Sequence, residues 1–249
     1  MNSRKLGVIS GMGTKAGVLF LNKLIDRICV NRDQDFPEII FHNNSQIPDR
    51  TLAIVYGKES PEFELMRSID LMNKMGVDYL LSTCVTSYYF LNRLKKDMNA
   101  ELLNPVDLIY RNLKQNFPNI TKIGLLATTG SIRSGLFDER FVNSEYELIK
   151  LSPIDQERKF MKSVYMKGGL KSTKVSNEAV MLFKDSVNLL KQNGAEIMIG
   201  GCTEVQIGLN YIQENIPILD AIDVLVDEVI DKLEIKRMDQ EIRGKIILE

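Results

Sequence analysis

Two cysteines occupy equivalent positions in two segments of the chain that resemble one another. Residues 76–84 (GVDYLLSTC) and 194–202 (GAEIMIGGC) each run from a glycine through an acidic residue and an apolar stretch to Cys84 and Cys202. Upstream, residues 6–13 (LGVISGMG) match residues 123–130 (IGLLATTG). Two similar halves packed about a pseudo-two-fold axis would direct two thiols at one point from opposite sides. A reaction that takes a proton from one face of a carbon and returns one to the other face needs that geometry.

Few other residue types are available for acid–base or metal chemistry. The chain has three cysteines and one histidine, His42, and no cysteine has a Cys-x-x-Cys partner. Three cysteines are too few for a disulfide framework, and one histidine leaves little for a zinc site or a Ser-His couple. We therefore expect no metal and assign acid–base chemistry to thiols, carboxylates and amines. The third cysteine, Cys29, is expected to serve packing within the first helix.

Composition and charge narrow the class of partner. The 249 residues carry a formal net charge of −1 and are 44% hydrophobic, which is typical of a globular protein that binds neither nucleic acid nor an anionic membrane. The sequence contains no apolar run long enough to span a bilayer, and its first residues lack a signal-peptide core. We expect a cytoplasmic protein whose partner is a small molecule.

The pattern of short apolar strands between amphipathic helices predicts an α/β protein. We expect two similar α/β domains with mostly parallel sheets, related by a pseudo-two-fold axis, with the active site in the interdomain cleft. Residues 1–104 form the N-terminal half and residues 105–219 the C-terminal half, and residues 220–249 pack back on the first half. The charged segment 236–249 is assigned no function. Predicted strands cover residues 5–10, 38–43, 79–83, 122–127, 146–151, 196–200 and 216–219.

Helices flank the two predicted strands that end at the cysteines. Helices at residues 61–75 and 177–193 end at Gly76 and Gly194 and lead into these strands, and further helices follow at residues 88–98 and around Gln206. The carboxyl ends of parallel strands are where open α/β sheets bind ligands. The amides at the start of each following helix would favour a thiolate and would hold a substrate carboxylate, with Thr86 and Thr203 adding hydroxyl donors.

These residues resemble the aspartate/glutamate racemase family, and within it the aspartate racemases that work without pyridoxal phosphate. The resemblance covers residues 6–232 and is carried by residues 11–13 (GMG), 43–51 (NNSQIPDRT), 84–86 (CVT), 124–130 (GLLATTG) and 201–204 (GCTE). It implies a cofactor-independent isomerase, a homodimer, and Cys84 and Cys202 as the two acid–base groups. It implies that Arg50 and a lysine after Tyr165, best matched by Lys167, meet the substrate. The remaining substrate-binding residues that it implies are Met12, Gln46, Thr86, Thr128 and Thr203.

Some positions depart from the family pattern or allow another interpretation. Val85 stands where the family usually has asparagine, which makes the expected pocket less polar. Glu204 either orients the Cys202 thiol or is an acid at a helix N-terminus that interacts with the dipole. The residues Gly11, Gly13 and Ala16 also fit a dinucleotide fingerprint, but residues 41–44 (FHNN) offer no acid for the ribose, so no nicotinamide cofactor is expected.

The predicted activity is racemisation, with aspartate as the first substrate to test and glutamate as the second. Two alternatives stay open at this point. A diacid isomerase or decarboxylase of the same superfamily would use one or both thiols, and a non-catalytic carboxylate-binding protein would use neither. Retention of both cysteines favours racemisation, because two-sided proton exchange needs both.

Overall fold

The protein contains two parallel sheets with the same strand order. The computed structural model describes residues 4–213 and 216–238. In that part of the chain the strands form two four-stranded sheets, ordered β2-β1-β3-β4 and β6-β5-β7-β8, and every paired strand is parallel. The predicted two-part α/β architecture is confirmed. The strands are β1 (Leu6–Ser10), β2 (Ile39–Asn43), β3 (Tyr79–Ser82), β4 (Glu101–Leu102), β5 (Lys122–Leu126), β6 (Glu147–Ile149), β7 (Ile197–Gly200) and β8 (Ile218–Asp220).

Helices of very different lengths connect and cover these strands. The long ones are amphipathic and bury one face against a sheet or another helix. Short 3₁₀ segments occur at Asp33–Asp35, Val85–Ser87 and Lys95–Asp97, and a π-helical segment at Gln156–Met161. The α-helices are α1 (Thr14–Arg27), α2 (Arg50–Tyr56), α3 (Glu62–Met75), α4 (Tyr88–Leu91), α5 (Pro105–Asn116), α6 (Thr129–Arg133), α7 (Leu136–Phe141), α8 (Pro153–Asp155), α9 (Lys162–Tyr165), α10 (Asn177–Gln192), α11 (Glu204–Leu209) and α12 (Ala221–Lys232).

The seven predicted strands agree with β1–β3 and β5–β8 within two residues at each end, but one strand was missed and one helix was predicted too long. The strand β4 was missed because two residues cannot show an alternating pattern. The helix predicted at residues 88–98 is much shorter, since α4 ends at Leu91. The Tyr88 hydroxyl donates to the Leu103 carbonyl at 2.8 Å and ties the start of α4 to the chain that follows β4. The chain must therefore turn back after α4 to reach the edge of the first sheet.

The strands that lead to the two cysteines lie at the centre of their sheets. Both β3 and β7 have neighbours on each side and are buried along their whole length. A parallel sheet covered on both faces has strands of this kind, because helices pack on each side. Both predicted helices that lead into these strands are confirmed as α3 and α10. The position of each cysteine is therefore set by a rigid core strand.

Helix α12 follows the second sheet in sequence but packs against helices α1 and α5. Lys23 Nζ on α1 lies 2.8 Å from Asp223 Oδ1, and Arg27 pairs with Asp223 and Asp227. Residues 239–249 of the predicted returning segment lie outside the described residues, and the division of the chain at residue 104 stays a prediction. Cys29 follows α1 rather than lying in it, because that helix ends at Arg27. No described helix is both long and apolar enough to cross a bilayer.

Candidate active site

The two thiols occupy the same place in the two sheets. Cys84 lies two residues after β3 and Cys202 two residues after β7, at the carboxyl ends of equivalent strands. Both are free cysteines, and their exposed fractions are only 8% and 4%. Open parallel sheets bind ligands at this edge. The fold therefore presents one buried thiol from each half at the edge where a ligand is expected.

The surroundings of Cys84 are positively charged. Arg50, the first residue of α2, lies beside the Cys84 sulfur. Burial lowers the pKa of Arg50, but the interactions with Cys84 and with the Asp49 carboxylate outweigh burial, so the net pKa is raised. Cys84 is thus the thiol that lies next to a positively charged side chain.

The Arg50 guanidinium is held by two backbone carbonyls and keeps its Nε–H available. Its Nη2 donates to the Met12 carbonyl at 2.9 Å and its Nη1 to the Pro48 carbonyl at 3.1 Å. Its buried Nε has no hydrogen-bond partner among the described residues. A buried N–H without a partner is costly in a folded protein. The arginine is therefore well placed to donate to a carboxylate that enters the site.

Cys202 has the opposite surroundings. Its Sγ donates to Glu204 Oε2 at 2.9 Å, and Lys171 Nζ pairs with the other oxygen, Oε1, at 2.7 Å. The exposed fraction of the Glu204 side chain is 4% and that of Lys171 is 26%. One carboxylate thus joins a thiol and an ammonium in a buried chain of hydrogen bonds.

The pKa directions agree with this arrangement. Burial raises the pKa of Cys202, the Glu204 carboxylate raises it further, and Lys171 offsets only part, so the pKa lies well above its usual range. Burial alone would raise the pKa of Glu204, but Lys171 and the Cys202 hydrogen bond outweigh it and lower the pKa. For Lys171, burial lowers the pKa, and Glu204 reverses the sign. Near neutral pH, Cys202 is a thiol that donates to an ionised Glu204.

The Met12 carbonyl connects the two thiol environments. It accepts hydrogen bonds from Arg50 at 2.9 Å and from Lys171 at 3.2 Å. Met12 lies in the turn after β1, where the preceding Gly11 has a φ of 97° and a Cβ there would come within 2.3 Å of the Asn44 backbone. Only glycine fits that close approach. The glycine motif of the sequence therefore positions a backbone acceptor between two cations.

Hydroxyl groups join the two halves next to the thiols. Thr86 Oγ1 lies 2.9 Å from both Thr128 Oγ1 and Ser131 Oγ. Thr203 Oγ1 donates to Glu204 Oε2 at 3.4 Å. Thr128 also caps α6, because its Oγ1 accepts from the Ser131 N–H. All three predicted threonines are buried at the ligand edge. Thr86 lies two residues after Cys84, Thr203 directly follows Cys202, and Thr128 contacts Thr86.

Two predicted substrate-binding residues lie outside this cluster. The side chain of Gln46 is exposed, while its backbone N–H donates to Asn44 Oδ1. Lys167 is exposed in the turn after α9. The lysine that reaches the site is Lys171, four residues later. The sequence prediction chose Lys167 instead of Lys171 because both lysines follow Tyr165. Only the path of the turn determines which of the two reaches the site.

The turn that carries Lys171 folds back on α9. Gly169 N donates to the Met166 carbonyl at 2.7 Å, and Leu170 N donates to the Ser163 carbonyl at 2.9 Å. These bonds direct the chain inward after Gly169, and Lys171 Nζ then lies 5.4 Å from the centre of the Tyr165 ring. The sequence does contain the signal of a double glycine, at positions 168 and 169, that marks a sharp reversal.

Two cavities flank the cluster. The first, of about 370 Å³, is called the mouth cavity and is lined by Asp49, Leu52, Tyr56, Glu157, Met161 and Tyr165, among others. The second, of about 660 Å³, lies against the start of α1 and is bordered by Lys171 and Glu204. Both sizes fall in the range of small-molecule sites.

Known proteins resemble this chain over most of its length. The family model described as Asp/Glu/Hydantoin racemase matches residues 9–229. The broad specificity amino-acid racemase RacX of Bacillus subtilis is 21% identical over 224 residues, which cover 87% of this chain and 92% of RacX. A glutamate racemase of Carboxydothermus hydrogenoformans is 25% identical over 203 residues, covering 79% of this chain and 72% of that one. The solved aspartate racemase of Picrophilus torridus has a TM-score of 0.80 at 24% identity and covers 94% of this chain and 96% of its own.

Proposed function

The chain belongs to the Asp/Glu/hydantoin racemase family and is an amino-acid isomerase, and we propose that it inverts aspartate with Cys84 and Cys202 as its two acid–base groups. Under this proposal the reaction needs no cofactor. Glutamate is the second substrate to test. Arg50 and Lys171 are then the groups that bind the substrate carboxylates.

One observation carries the proposal, namely the opposite electrostatic surroundings of two equivalent thiols. A guanidinium lies beside Cys84, whereas Cys202 donates its proton to a carboxylate at 2.9 Å. A two-base inversion has to begin with one thiolate and one thiol, because one group removes a proton and the other supplies one. Under this proposal Cys84, beside the Arg50 guanidinium, removes the proton, and Cys202, which donates to Glu204, supplies one.

The mechanism follows from these roles. The Cys84 thiolate removes the α-proton, and the pair of electrons from the broken C–H bond delocalises into the α-carboxylate. Arg50 stabilises that negative charge through its free Nε–H. Cys202 then gives its S–H proton to the opposite face of the α-carbon and becomes the thiolate. Lys171, on the far side of Glu204, offsets the second negative charge.

The choice of aspartate rests on two cations at one site. Arg50 and Lys171 both donate to the Met12 carbonyl, so a substrate with two carboxylates can place one beside each cation, with Lys171 shared between the substrate and Glu204. The similar proteins carry different names, for aspartate, for glutamate and for a broad range of amino acids, so family membership leaves the substrate open. Val85, the residue after Cys84, is apolar and only 2% exposed.

Deuterium wash-in tests the function directly. We expect purified protein in D₂O, without pyridoxal phosphate, to exchange the α-proton of L- and D-aspartate and to invert both. Cys84→Ala and Cys202→Ala should each lower racemisation by roughly 100-fold or more, because each removes one proton-transfer group. Cys29→Ala is the matched control and should leave the rate unchanged, since Cys29 lies beyond α1, away from the cluster.

The outcomes separate the possible activities. Exchange with inversion that requires both thiols supports the two-thiol racemase. Racemisation that survives either cysteine substitution would contradict the mechanism while leaving the family intact. No exchange with aspartate, glutamate or other amino acids would redirect the assignment to a diacid isomerase or a carboxylate-binding protein.

A further inference from the structure

Three buried hydroxyl groups lie beneath the turn that carries Cys84. Ser82 is the last residue of β3, Ser87 ends the 3₁₀ segment that follows Cys84, and Tyr88 begins α4. Their exposed fractions are 1%, 0% and 0%, and together they are called the hydroxyl network. A buried hydroxyl group is costly unless it has a hydrogen-bond partner. The partners of these three groups therefore show which part of the chain they hold in place.

The two serines enclose the backbone of Cys84. The Cys84 N–H donates to Ser82 Oγ at 3.3 Å, and the Cys84 carbonyl accepts from Ser87 Oγ at 2.6 Å. The Ser87 hydroxyl also lies 2.9 Å from Ser82 Oγ. These three contacts close a ring that contains both polar groups of the Cys84 backbone. The ring holds Cys84 in an extended conformation, with φ of −135° and ψ of 107°, and the direction of its side chain follows from these angles.

The Tyr88 hydroxyl occupies a place in the ladder between β3 and β4. The Leu103 N–H donates to the Leu80 carbonyl at 2.8 Å, and in a regular parallel ladder the Ser82 N–H would then donate to the Leu103 carbonyl. Instead the Ser82 N–H donates to Tyr88 Oη at 2.9 Å, and Tyr88 Oη donates to the Leu103 carbonyl at 2.8 Å. Burial raises the pKa of Tyr88, so its hydroxyl stays protonated and able to donate. The hydroxyl thus bridges the two strands just before the Cys84 turn.

The second half of the chain lacks these hydroxyls at its own cysteine. The residues at the equivalent positions, counted from Cys202, are Gly200, Val205 and Gln206. A Cβ at Gly200 would come within 2.5 Å of Asp220 Oδ2, so a serine there would have to displace the Asp220 carboxyl. Cys202 is instead oriented by its own Sγ, which donates to Glu204 Oε2 at 2.9 Å. The hydroxyl network therefore serves Cys84 alone.

We propose that Ser82, Ser87 and Tyr88 are positioning residues, which direct the Cys84 thiol at the α-carbon through the backbone of its turn. The inference rests on the proposed function, because it concerns the base of the same reaction. All three side chains are buried and none of them lines either cavity beside the site, so they act on Cys84 and leave the substrate untouched. A misplacement of about 1 Å between reacting groups costs about 100-fold in rate, so a base on a loosened turn is a slow base.

Ser87→Ala tests this inference, with Ser186→Ala as its matched control. Ser186 on α10 is also 0% exposed, and its Oγ donates to the Leu182 carbonyl at 2.8 Å, so both substitutions remove one buried bond from a hydroxyl to a carbonyl. In the deuterium exchange assay, Ser87→Ala should lower kcat about ten-fold and leave KM unchanged, because it displaces the base without touching the substrate. Ser186→Ala should change neither value.

Alkylation of the thiols gives a second readout that needs no turnover. Iodoacetamide reaches a buried cysteine when the structure around it opens locally, and peptide mass mapping measures each cysteine separately. Ser87→Ala should raise the rate at Cys84 about three- to ten-fold, which is the factor that one hydrogen bond contributes, and should leave Cys202 unchanged. Tyr88→Phe should act on kcat and on Cys84 in the same directions, which keeps the test available if Ser87→Ala does not fold.

The outcomes separate this inference from the proposed function. When the wild type is active, kcat decides: a loss in Ser87→Ala that is absent from Ser186→Ala supports the positioning role. Equal kcat values in the two serine variants overturn it, and so does a change confined to KM. If the wild type exchanges no amino acid, the proposed function fails and alkylation decides. Faster alkylation of Cys84 alone then supports the placement of this thiol by the network, and equal rates in the two variants overturn it.

Discussion

At the scale of single residues, Glu204 determines the difference between the two thiols. It accepts the Cys202 proton on one oxygen and the Lys171 ammonium on the other. The ammonium keeps the carboxylate ionised, and burial together with that ionised carboxylate raises the pKa of Cys202 and keeps it protonated. The sequence prediction left open whether Glu204 orients the thiol or interacts with a helix dipole. The direct hydrogen bond favours the first interpretation.

We predict that Lys171→Met destabilises the protein by about 3 kcal/mol at neutral pH, because it leaves a buried carboxylate without its cation. Lys167→Met is the matched control. Lys167 is exposed four residues earlier, so its loss should change the free energy of unfolding by less than about 0.5 kcal/mol. Urea unfolding of the two variants and the wild type measures both values, and equal stabilities would contradict the role of Lys171.

The ion pair between Lys171 and Glu204 makes the destabilisation by Lys171→Met depend on pH. The pKa of Glu204 is lowered in the folded protein, so its contribution is present above the ordinary carboxyl pKa and is lost as the pH falls through the lower, folded value. The pKa of Lys171 is raised, so its contribution is complete below the ordinary lysine pKa and is lost as the pH rises through the folded value. The difference in the free energy of unfolding between the wild type and Lys171→Met should therefore disappear at acidic pH.

At the scale of elements, helices α2 and α6 hold the two halves in contact beside the thiols. Gly130 on α6 allows this approach. A Cβ at this position would come within 2.6 Å of Thr51 Oγ1, 2.9 Å of Thr51 Cα and 3.0 Å of Thr86 Cγ2. Thr86 in turn contacts Thr128 at 2.9 Å. The spacing of the two helices thus determines the placement of the hydroxyls around Cys84.

We predict that Gly130→Ala lowers kcat/KM by about ten-fold, because misplacement of positioning groups by a fraction of an ångström to 1 Å costs about that much or more. The added methyl group meets backbone as well as side chain, so α6 has to move away from α2. Deuterium exchange with the preferred substrate measures the rate. Urea unfolding should show a loss of about 1–3 kcal/mol from overpacking.

Gly57→Ala is the control for this element. Gly57 ends α2 with a φ of 60°, and a Cβ there would have nothing within 4 Å. Its replacement should cost roughly 1–2 kcal/mol through the left-handed backbone alone and leave the rate unchanged. If both variants lose stability and neither loses activity, the contact between α2 and α6 is structural only.

At the scale of the whole molecule, α12 links the end of the second half to the first. It starts after β8 and packs against α1 and α5, with Asp223 and Asp227 paired to Arg27. This return crosses between the two sheets, so unfolding either half exposes the apolar face of α12. We infer that the halves unfold as one cooperative unit. The homodimer and the cytoplasmic location stay predictions.

Thiol labelling during urea unfolding tests that cooperativity, because the buried Cys84 and Cys202 report on different halves. In a Cys29→Ser background, both should become reactive at the same urea concentration. Arg27→Met should lower both midpoints together, with a loss of about 1 kcal/mol or less, because Asp223 keeps its pair with Lys23 and Asp227 keeps its pair with Arg237. Separate midpoints for the two thiols in the wild type would show that α12 does not couple the halves.

The sequence alone determined the class of fold, most of the strands and the two thiols at equivalent strand ends. These features depend on patterns within about ten residues, such as an apolar strand after a helix that ends at glycine, as at Gly76 and Gly194. Such patterns act through local backbone preference and burial, so they can be read before any contact is known. The doubled pattern also indicated two halves.

The tertiary structure alone decided which side chains meet the thiols. The chain reversal at Gly168 and Gly169 brings Lys171 rather than Lys167 to Glu204, although both lysines follow the same tyrosine. The mouth cavity likewise combines α2 of one half with the π-helical segment of the other, more than 100 residues later. These contacts depend on how distant elements pack and on the path of a turn. That information is distributed over the whole chain, and no local pattern contains it.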